Sequence, residues 1–210
     1  MSAPGLFISL EGGEGAGKST VIAALHGALA ARGRDVVVTR EPGGTPEGEA
    51  IRCLLLDPGQ HLHPETELLL MFAARAQLVR DVIQPALARG AAVVADRFTD
   101  ASFAYQGGGR GLDMGRIAEL ERWAAGIKPD LTFLLDVGVA QGLARARGRG
   151  GEPDRIERER EDFFERVRAA YLTRAAAEPA RFRVIDASLP ADAVVAAVQS
   201  ALAAWLDAGA

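Results

Sequence analysis

The chain has 210 residues, of which 49% are hydrophobic and 25% are charged, a composition typical of a folded globular protein and not of a disordered or fibrous one. Its formal net charge of -4 argues against a general nucleic-acid-binding protein. Cys53 is the only cysteine, which excludes an internal disulfide, and we expect it to be a small buried or half-buried group. No uncharged apolar run approaches the ~20 residues of a membrane span, and the N-terminal segment lacks the pattern of a secretory signal, so we expect a cytoplasmic protein without a membrane partner.

Short β-branched runs alternate with longer helical patterns along the chain. The predicted strands are Leu6–Leu10, Asp35–Thr39, Ala92–Ala95, Leu131–Leu135 and Phe182–Ile185. The predicted helices cover residues 18–31, 46–55, 65–89, 115–125, 138–147, 159–177 and 191–207. Because each strand is nearly all apolar, we expect it to be buried on both faces of a parallel sheet. The alternation predicts one doubly wound α/β domain over residues 1–210, with helices on both faces and with ligands at the C-terminal ends of the strands.

A glycine-rich loop, GGEGAGKST, lies between the first predicted strand and the first predicted helix. It matches the phosphate-loop pattern G-x-x-x-x-G-K-[ST] in the strand–loop–helix setting that the pattern requires. Main-chain amides of such a loop surround phosphate oxygens, the lysine reaches the β- and γ-phosphates, and the hydroxyl after it is offered to Mg²⁺. The predicted ATP-binding residues are Gly12, Gly13, Glu14, Gly15, Ala16, Gly17, Lys18, Ser19 and Thr20, and the alternative is a glycine-rich turn without a ligand.

Charged residues follow the other strands at the same predicted edge. Arg40 comes directly after the second strand and Asp96-Arg97-Phe98 after the third, while Asp136 and Asp186 follow the fourth and fifth and are expected to cap the next helix or turn. Arginine binds two phosphate oxygens with its planar fork and stays charged. Two anion sites at one edge favour transfer of a phosphoryl group between two phosphates.

One segment interrupts the alternation of strands and helices. Residues 145–162 read RARGRGGEPDRIERERED, a mixture of arginines, acids, glycines and a proline that we expect to be mobile and exposed. The alternatives are a solvated connection between two helices and a flap, at about residues 146–158, that closes over a bound nucleotide and brings arginine to its phosphates. The phosphate loop in the same chain favours the flap.

The phosphate loop leaves several functions open. A GTPase should carry an Asn-Lys-x-Asp guanine-reading motif, and the sequence contains no asparagine. A kinase with a hydroxyl acceptor should need a catalytic base, whereas Arg40 and Arg97 favour a phosphate acceptor. Another nucleoside monophosphate kinase, a small-metabolite kinase and an ATP-dependent regulatory module without turnover stay open as alternatives on the residues alone.

Several strings together resemble bacterial thymidylate kinases, in the order in which that family has them. They are Phe7–Thr20, Thr39–Thr45 (TREPGGT), Asp96–Phe98 (DRF), Ala104–Gly111 (AYQGGGRG), Lys128–Leu131 (KPDL) and Asp154–Glu157 (DRIE). The phosphate loop is shared by many enzymes, but the combination of TREPGGT with DRF and AYQGGGRG is much more specific. The resemblance implies a P-loop fold, a homodimer, and the Mg²⁺-dependent transfer of the γ-phosphoryl group of ATP to dTMP, which gives ADP and dTDP.

The resemblance also implies roles for individual residues. Arg97 would grip the acceptor phosphate with support from Arg40, and Glu14 would lie near the 3′-hydroxyl of the acceptor sugar and the metal. Because the neighbour of Glu14 is Gly15 and not arginine, the chain resembles the subtype whose flap arginines stabilise the transition state. The flap candidates are Arg149, with Arg147 or Arg155, and the catalytic set is Lys18, Arg97, Glu14 and Arg149.

The dTMP site implied by the resemblance consists of Arg40, Phe72, Arg75, Arg97, Ser102, Tyr105 and Gln106. Arg75 would bind a thymine carbonyl, Tyr105 would crowd the sugar 2′ position, and an aromatic ring would stack on the base. The family places that ring four residues before the arginine, where this chain has Met71, so either Met71 or Phe72 covers the base. The run from Leu68 to Phe72 is predicted to be core or to form part of a dimer face, and Trp123 and Trp205 are predicted to anchor helix packing.

Overall fold

The computed structural model describes residues 4–148, 150 and 152–209. Within them one parallel sheet has five strands in the order β2-β3-β1-β4-β5. The strands are β1 (Leu6–Gly12), β2 (Val36–Arg40), β3 (Ala92–Asp96), β4 (Leu131–Asp136) and β5 (Phe182–Asp186). The chain passes from β1 to the edge strand β2, returns to β3 beside β1, and then crosses to β4 and β5 on the other side of β1. This is the doubly wound arrangement predicted from the alternating pattern.

Helices connect the strands and cover both faces of the sheet. The described α-helices are α1 (Lys18–Ala30), α2 (Pro46–Leu56), α3 (Pro64–Leu78), α4 (Gln84–Ala88), α5 (Thr99–Ser102), α6 (Met114–Leu120), α7 (Val139–Arg147), α8 (Glu161–Ala177) and α9 (Ala191–Asp207). Three π-helical segments, Val79–Ile83, Phe103–Gly109 and Glu121–Ala125, continue α3, α5 and α6. None of the described helices is long and apolar enough to cross a membrane.

The sequence prediction missed the helical stretch formed by α5 and the segment Phe103–Gly109. Three glycines in a row disfavour a helix by propensity. Tertiary packing explains their presence, because a Cβ on Gly108 would lie 2.6 Å from the Cβ of Ala170 and one on Gly109 would lie 2.4 Å from the ring of Phe163. The glycines therefore let this stretch approach α8 closely.

The sheet is buried on both faces only at its centre. Leu6, Ile8 and Leu10 of β1 face a core completed by α1 and α9, while Phe7 faces the opposite core with α3 and α4. The edge strands differ, since Val38 of β2 is 46% exposed and Val184 of β5 is 50% exposed. The prediction that all strands are buried on both faces is therefore wrong for β2 and β5.

Part of the predicted flap is packed against the body of the protein. Between α7 and α8, the amide of Arg155 donates to the carbonyl of Leu56 at 3.1 Å, and Ile156 is buried in a core cluster that includes Tyr105. The expectation of a wholly exposed segment is wrong at these two positions, because the aliphatic chain of Ile156 finds apolar neighbours. Residues 149 and 151 lie outside the described residues.

Three other expectations are wrong, and in each case the surroundings of the side chain differ from those predicted. Trp123 is 80% exposed and does not anchor helix packing, although Trp205 packs against the core as predicted. Cys53 is exposed rather than half-buried. Asp136 does not cap α7, since its carboxylate accepts two hydrogen bonds from Arg168 at 2.7 and 2.9 Å.

Candidate active site

The phosphate loop lies between β1 and α1, at the C-terminal edge of the sheet. Gly12, Gly15 and Gly17 have positive φ angles of 142°, 68° and 89°. At Gly15 a side chain is excluded by space as well, because an added Cβ would lie 2.0 Å from the carbonyl oxygen of Gly142. Helix α1 begins at Lys18 without a side-chain cap, so its first amide groups are directed at the loop.

Lys18 reaches back over the loop that precedes it. Its Nζ donates to the carbonyl oxygens of Gly12 and Gly13 at 3.2 and 3.1 Å. Burial and the nearby charge of Arg97 lower the pKa of Lys18, while the nearby acids, led by Glu14, oppose that shift. Two positive groups therefore lie close enough to affect each other at this end of the loop, as an anion-binding centre requires.

A cavity of about 430 Å³ opens beside the loop. The predicted residues that line it are Glu14, Gly15, Ala16, Gly17, Lys18, Ser19, Thr20, Arg40, Arg75, Arg97, Ser102, Tyr105 and Gln106. Gly12, Gly13 and Phe72 are the described members of the predicted set that do not line it. Most of the predicted residues thus meet at a single cavity, although they come from the loop after β1, from α1, β2, α3 and α5, from the residue after β3, and from the π-helical segment Phe103–Gly109.

Arg97 stands directly after β3 in a left-handed conformation, with φ of 71°. Its Nη2 donates to Glu14 Oε1 at 2.8 Å, and its Nη1 donates to the carbonyl of Gly12 at 3.0 Å and to the hydroxyl of Tyr171 at 3.2 Å. Non-glycine residues rarely adopt this backbone conformation, which is found at functional sites where the surroundings enforce it. The guanidinium is fixed beside the loop and faces the cavity.

Glu14 and Tyr105 join the same group. The hydroxyl of Tyr105 donates to Glu14 Oε1 at 2.9 Å, and the guanidinium carbon of Arg97 lies 4.7 Å from the centre of the Tyr105 ring. Burial raises the pKa of Tyr105, the charge of Arg97 opposes the rise, and Glu14 adds to it, so the phenol stays protonated and can donate. Glu14 and Arg97 thus form an ion pair that the sequence did not predict.

Arg75 of α3 also lines the cavity and is held in place by several partners. Its side chain is 2% exposed and lies 2.7 Å from Glu41 Oε2 in a buried ion pair. Its Nη1 donates to Ser102 Oγ at 3.1 Å, and its Nη2 donates to the carbonyl of Phe98 at 3.2 Å. Burial raises the pKa of Glu41 and the charge of Arg75 opposes that rise. The guanidinium is therefore positioned before any ligand arrives.

Met71 lines the cavity, whereas Phe72 is 2% exposed and packs in the core with Leu68 and Phe103. Adjacent residues of a helix point about 100° apart, so only one of the two can face the site. The Phe72 ring instead lies 4.4 Å from the guanidinium carbon of Arg75. The resemblance assigned Phe72 to the dTMP site, but Phe72 does not line the cavity. Its ring packs against the guanidinium of Arg75 instead.

Arg40 lies at the rim, where its Nη2 donates to Glu49 Oε2 at 3.0 Å. Its side chain is 56% exposed, in contrast to Arg75 and Arg97.

Of the flap arginines, Arg155 donates to the carbonyl of Leu55 and to Glu67 at 2.7 Å each, so its guanidinium is engaged away from the phosphate loop. Arg149 lies outside the described residues.

Several residues of the site carried no role in the sequence prediction. Glu41 holds Arg75, Tyr171 of α8 holds Arg97, and Glu67 holds Gln106 at 2.8 Å. Glu41 lies inside the TREPGGT string, which was a usable signal, but Tyr171 and Glu67 reach the site from distant parts of the chain. No local pattern identifies such partners.

A second cavity of about 260 Å³ lies on the other side of the phosphate loop. Gly15, Gly17 and Thr20 line both cavities, and Arg145 and Pro190 line only the second. The loop therefore separates two spaces, each large enough for part of a nucleotide, and its amides can hold phosphates between them. This arrangement can bring a phosphate donor and a phosphate acceptor end to end.

Metal ligands are sparse in the described part of the chain, where no three His, Cys, Asp or Glu side chains cluster as they would around an ion held by protein alone. Ser19 and Asp96 both line the larger cavity, and Asp96 Oδ1 is buried with no hydrogen-bond partner among the described residues. Mg²⁺ typically takes one or two protein oxygens, several waters and substrate phosphates. These two side chains fit an ion of that kind.

Comparison with known proteins gives a consistent result. A family model described as thymidylate kinase matches residues 10–198. The thymidylate kinase of Chromohalobacter salexigens is 60% identical over 206 residues, which cover 97% of this chain and 95% of that protein. The thymidylate kinase of Pseudomonas fluorescens is 56% identical over 205 residues, 97% of each chain. The crystal structure of thymidylate kinase from Ehrlichia chaffeensis aligns with a TM-score of 0.77 at 32% identity and covers 95% of this chain and 99% of that one.

Proposed function

This chain belongs to the thymidylate kinase family, and from that premise we propose how its side chains hold the two substrates. The enzyme transfers the γ-phosphoryl group of ATP to dTMP and forms ADP and dTDP, the precursor of dTTP. The alternatives of a small-metabolite kinase and of a regulatory module without turnover are not supported by its relatives. We treat residues 1–210 as one nucleoside monophosphate kinase domain with its flap at about residues 146–158.

The donor site consists of the phosphate loop and the smaller cavity. Gly12 to Thr20 hold the phosphates of ATP through main-chain amides, and the nucleoside lies on the side of Arg145 and Pro190. Lys18 supports this assignment because its ammonium group lies over the loop carbonyls and can turn to a β- or γ-phosphate oxygen.

The acceptor site occupies the larger cavity. Arg97 grips the phosphate of dTMP, with Arg40 at the rim. Arg75 donates to a thymine carbonyl, with Ser102 and Gln106 beside it, and Met71 covers the base in place of a ring. Tyr105 packs against the sugar and Glu14 lies near its 3′-hydroxyl. The observation that carries this proposal is that one cavity is lined by both the phosphate loop and this second set of arginines.

The reaction needs little covalent chemistry from the protein. An oxygen of the dTMP phosphate attacks the γ-phosphorus of ATP, the bond to the oxygen bridging the β- and γ-phosphorus breaks, and that oxygen leaves with ADP. Arg97 and Lys18 neutralise charge on the acceptor and donor sides, and the flap, with Arg149 as the arginine that reaches the phosphates, excludes water.

Ser19 and Asp96 would hold Mg²⁺ beside the phosphates, which supplies further neutralisation of charge on the β- and γ-oxygens when it is bound. Glu14 was predicted as a second ligand. Its contacts with Arg97 and Tyr105 support a role on the acceptor side, so we assign the carboxylate ligand to Asp96. Asp96 is the better candidate because its buried oxygen has no other partner in the described part of the chain.

We also propose a cytoplasmic homodimer. Leu69 on α3 is 57% exposed. Trp123, in the π-helical segment Glu121–Ala125, is 80% exposed. Helix α3 and this segment pack against each other. Large apolar side chains exposed on neighbouring elements are typical of a surface that a partner covers. Sedimentation of the unaltered enzyme and of Trp123→Glu tests this: a dimer that dissociates in the variant is expected, and a monomeric unaltered enzyme contradicts it.

The test of the function is turnover of a panel of monophosphates in a coupled assay of ADP release. We expect dTMP to be the preferred acceptor over dCMP, dGMP and dAMP. A crystal of the enzyme with dTMP should show the phosphate at Arg97 and the base at Arg75. A base bound away from Arg75, or preferred turnover of another monophosphate, would contradict the proposal.

A further inference from the structure

Glu67, near the start of α3, joins three separate parts of the chain. Its side chain is 1% exposed. Its Oε1 accepts a hydrogen bond from Gln106 Nε2 at 2.8 Å, and its Oε2 accepts from Arg110 Nη2 at 3.1 Å and from Arg155 Nη2 at 2.7 Å. Gln106 and Arg110 come from the stretch around Phe103–Gly109, and Arg155 comes from the base of the flap.

This contact fixes which way the Gln106 amide is turned. An ionised carboxylate can only accept hydrogen bonds, so Gln106 must present its NH₂ group to Glu67. Burial raises the pKa of Glu67, but the hydrogen bond from Gln106, the charge of Arg110 and the hydrogen bonds from Arg110 and Arg155 outweigh that effect and hold the pKa below its ordinary value. Glu67 therefore stays ionised at neutral pH, and the orientation of the amide is constant.

Gln106 also lines the large cavity, together with Arg75 and Ser102. Because its NH₂ group is taken by Glu67, the carbonyl oxygen is the amide atom that can accept a hydrogen bond from a bound base. Arg75 offers only donors. The cavity thus presents a donor and an acceptor, which match the O4 carbonyl and the N3–H of thymine and oppose the amino group and bare N3 of cytosine.

We infer that Glu67 is a positioning residue for base selection: it keeps the Gln106 amide turned so that the cavity accepts a pyrimidine with an N3–H and rejects cytosine. This inference rests on the proposed placement of dTMP. Glu67 does not itself line the cavity, so it acts through Gln106. Arg110 and Arg155 serve the same end, because they keep the carboxylate charged and in place.

The test compares Glu67→Gln with the unaltered enzyme, using dTMP and dCMP as acceptors. Glutamine has the same shape but can both donate and accept, so the Gln106 amide is free to turn. We expect the ratio of kcat/KM for dTMP to that for dCMP to fall about ten-fold. The matched control is Glu178→Gln, which also removes a carboxylate paired with Arg174 and Arg181 but lies outside the cavity, and its ratio should stay unchanged.

A second pair of variants separates this inference from the proposed function. Gln106→Ala should lower the ratio, and adding Glu67→Gln to it should change the ratio less than two-fold, roughly, because the two residues act as one unit. If Gln106→Ala leaves the ratio unchanged, the placement of the base is wrong. Two results would refute the role of Glu67 alone. In the first, Gln106→Ala lowers the ratio but Glu67→Gln does not. In the second, Glu67→Gln lowers the ratio as much in the Gln106→Ala background as in the unaltered enzyme.

Should Glu67→Gln fail to fold, as a melting curve would show, a crystal of the unaltered enzyme with dTMP decides. We expect one amide atom of Gln106 within about 3.2 Å of Glu67 and the other within about 3.2 Å of the thymine N3. A Gln106 side chain that leaves Glu67 on binding, or that makes no contact with the base, would overturn the inference.

Discussion

Two ion clusters lie only three residues apart on the segment after β3, and they differ in what surrounds them. Arg97 contacts Glu14 and lines the large cavity. Asp100 is 0% exposed and accepts hydrogen bonds from Arg174 and Arg181 at distances from 2.7 to 3.1 Å, away from the cavity. The same residue types thus form one cluster that a ligand can reach and one that it cannot.

The difference predicts separate roles for the two clusters, one in activity and one in stability. Arg181 also donates to Thr132 and Glu178, so the Asp100 cluster joins α5, β4 and the residues before β5 with its hydrogen bonds satisfied. Arg97 is held by Glu14, by a backbone carbonyl and by a neutral hydroxyl, and its guanidinium lines the cavity that a phosphate can enter. We therefore expect changes at Arg97 to affect activity and changes at Asp100 to affect stability.

The largest expected effect is on catalysis at Arg97. Arg97→Lys keeps the charge but loses the planar fork that binds two phosphate oxygens. We expect kcat/KM for dTMP to fall about 100-fold or more, with a melting temperature close to that of the unaltered enzyme. The matched control is Arg181→Lys, which should show the reverse pattern. Near-normal turnover of Arg97→Lys would mean that the acceptor phosphate binds elsewhere.

Asp100→Ala should instead act on folding. The change leaves Arg174 and Arg181 with Glu178 as their remaining acidic partner. Removal of one partner of a buried ion pair destabilises a protein by about 3–5 kcal/mol. For a chain of this size we expect the melting temperature to fall by roughly 10 °C in calorimetry. At a temperature where the variant is folded, kcat should be little changed. Asp186→Ala is the control: it removes an exposed carboxylate that accepts one hydrogen bond from the amide of Ser188, and it should lower the melting temperature much less.

Local patterns predicted the parts of the site that depend on neighbours in sequence. The phosphate loop and the residues that follow β2 and β3 were found because strand ends of a parallel sheet meet at one edge. Arg75, Ser102 and Gln106, to which the resemblance gave a role at the base, line the same cavity as the phosphate loop. The five strands agree with the prediction to within one or two residues at each end.

The failures concern features that packing decides. The glycines of the Phe103–Gly109 stretch are helical because α8 lies against them, and Met71 rather than Phe72 faces the cavity because of the rotation of α3. Trp123 is exposed although its residue type favours burial. Tyr171 lies 160 positions from Glu11, to which it donates a hydrogen bond, so no short pattern contains both residues.

Glu11 lies between the two clusters and should make stability depend on pH. Its carboxylate accepts from the amide of Phe98 and the hydroxyl of Tyr171. Burial and the charge of Asp100, opposed by Arg97 and these hydrogen bonds, raise the pKa of Glu11 to about 8. In the unfolded chain it titrates near 4.5, so the folded state binds the extra proton between these values.

This contribution to stability is complete below about pH 4.5 and is lost as the pH rises through about 8. Between pH 6 and 8 we expect a loss of about 2 kcal/mol in the free energy of unfolding, measured by denaturant titration. Glu11→Gln cannot titrate and should show a flatter profile over this range. A variant whose profile runs parallel to that of the unaltered enzyme would refute the role of Glu11.

The smallest expected effect is at Tyr171, which connects Glu11 to the Arg97 cluster. Tyr171→Phe removes only the hydroxyl that accepts from Arg97 at 3.2 Å and donates to Glu11 at 2.8 Å. Arg97 keeps its bonds to Glu14 and Gly12, so we expect kcat to fall about ten-fold rather than to vanish. Ser9→Ala is the control, because it removes another buried hydroxyl, bonded to Thr132 at 2.8 Å, without touching Arg97. If both variants lower stability by the same amount and neither changes kcat, the Tyr171 hydroxyl stabilises the fold, as the Asp100 cluster does, and does not position Arg97 for catalysis.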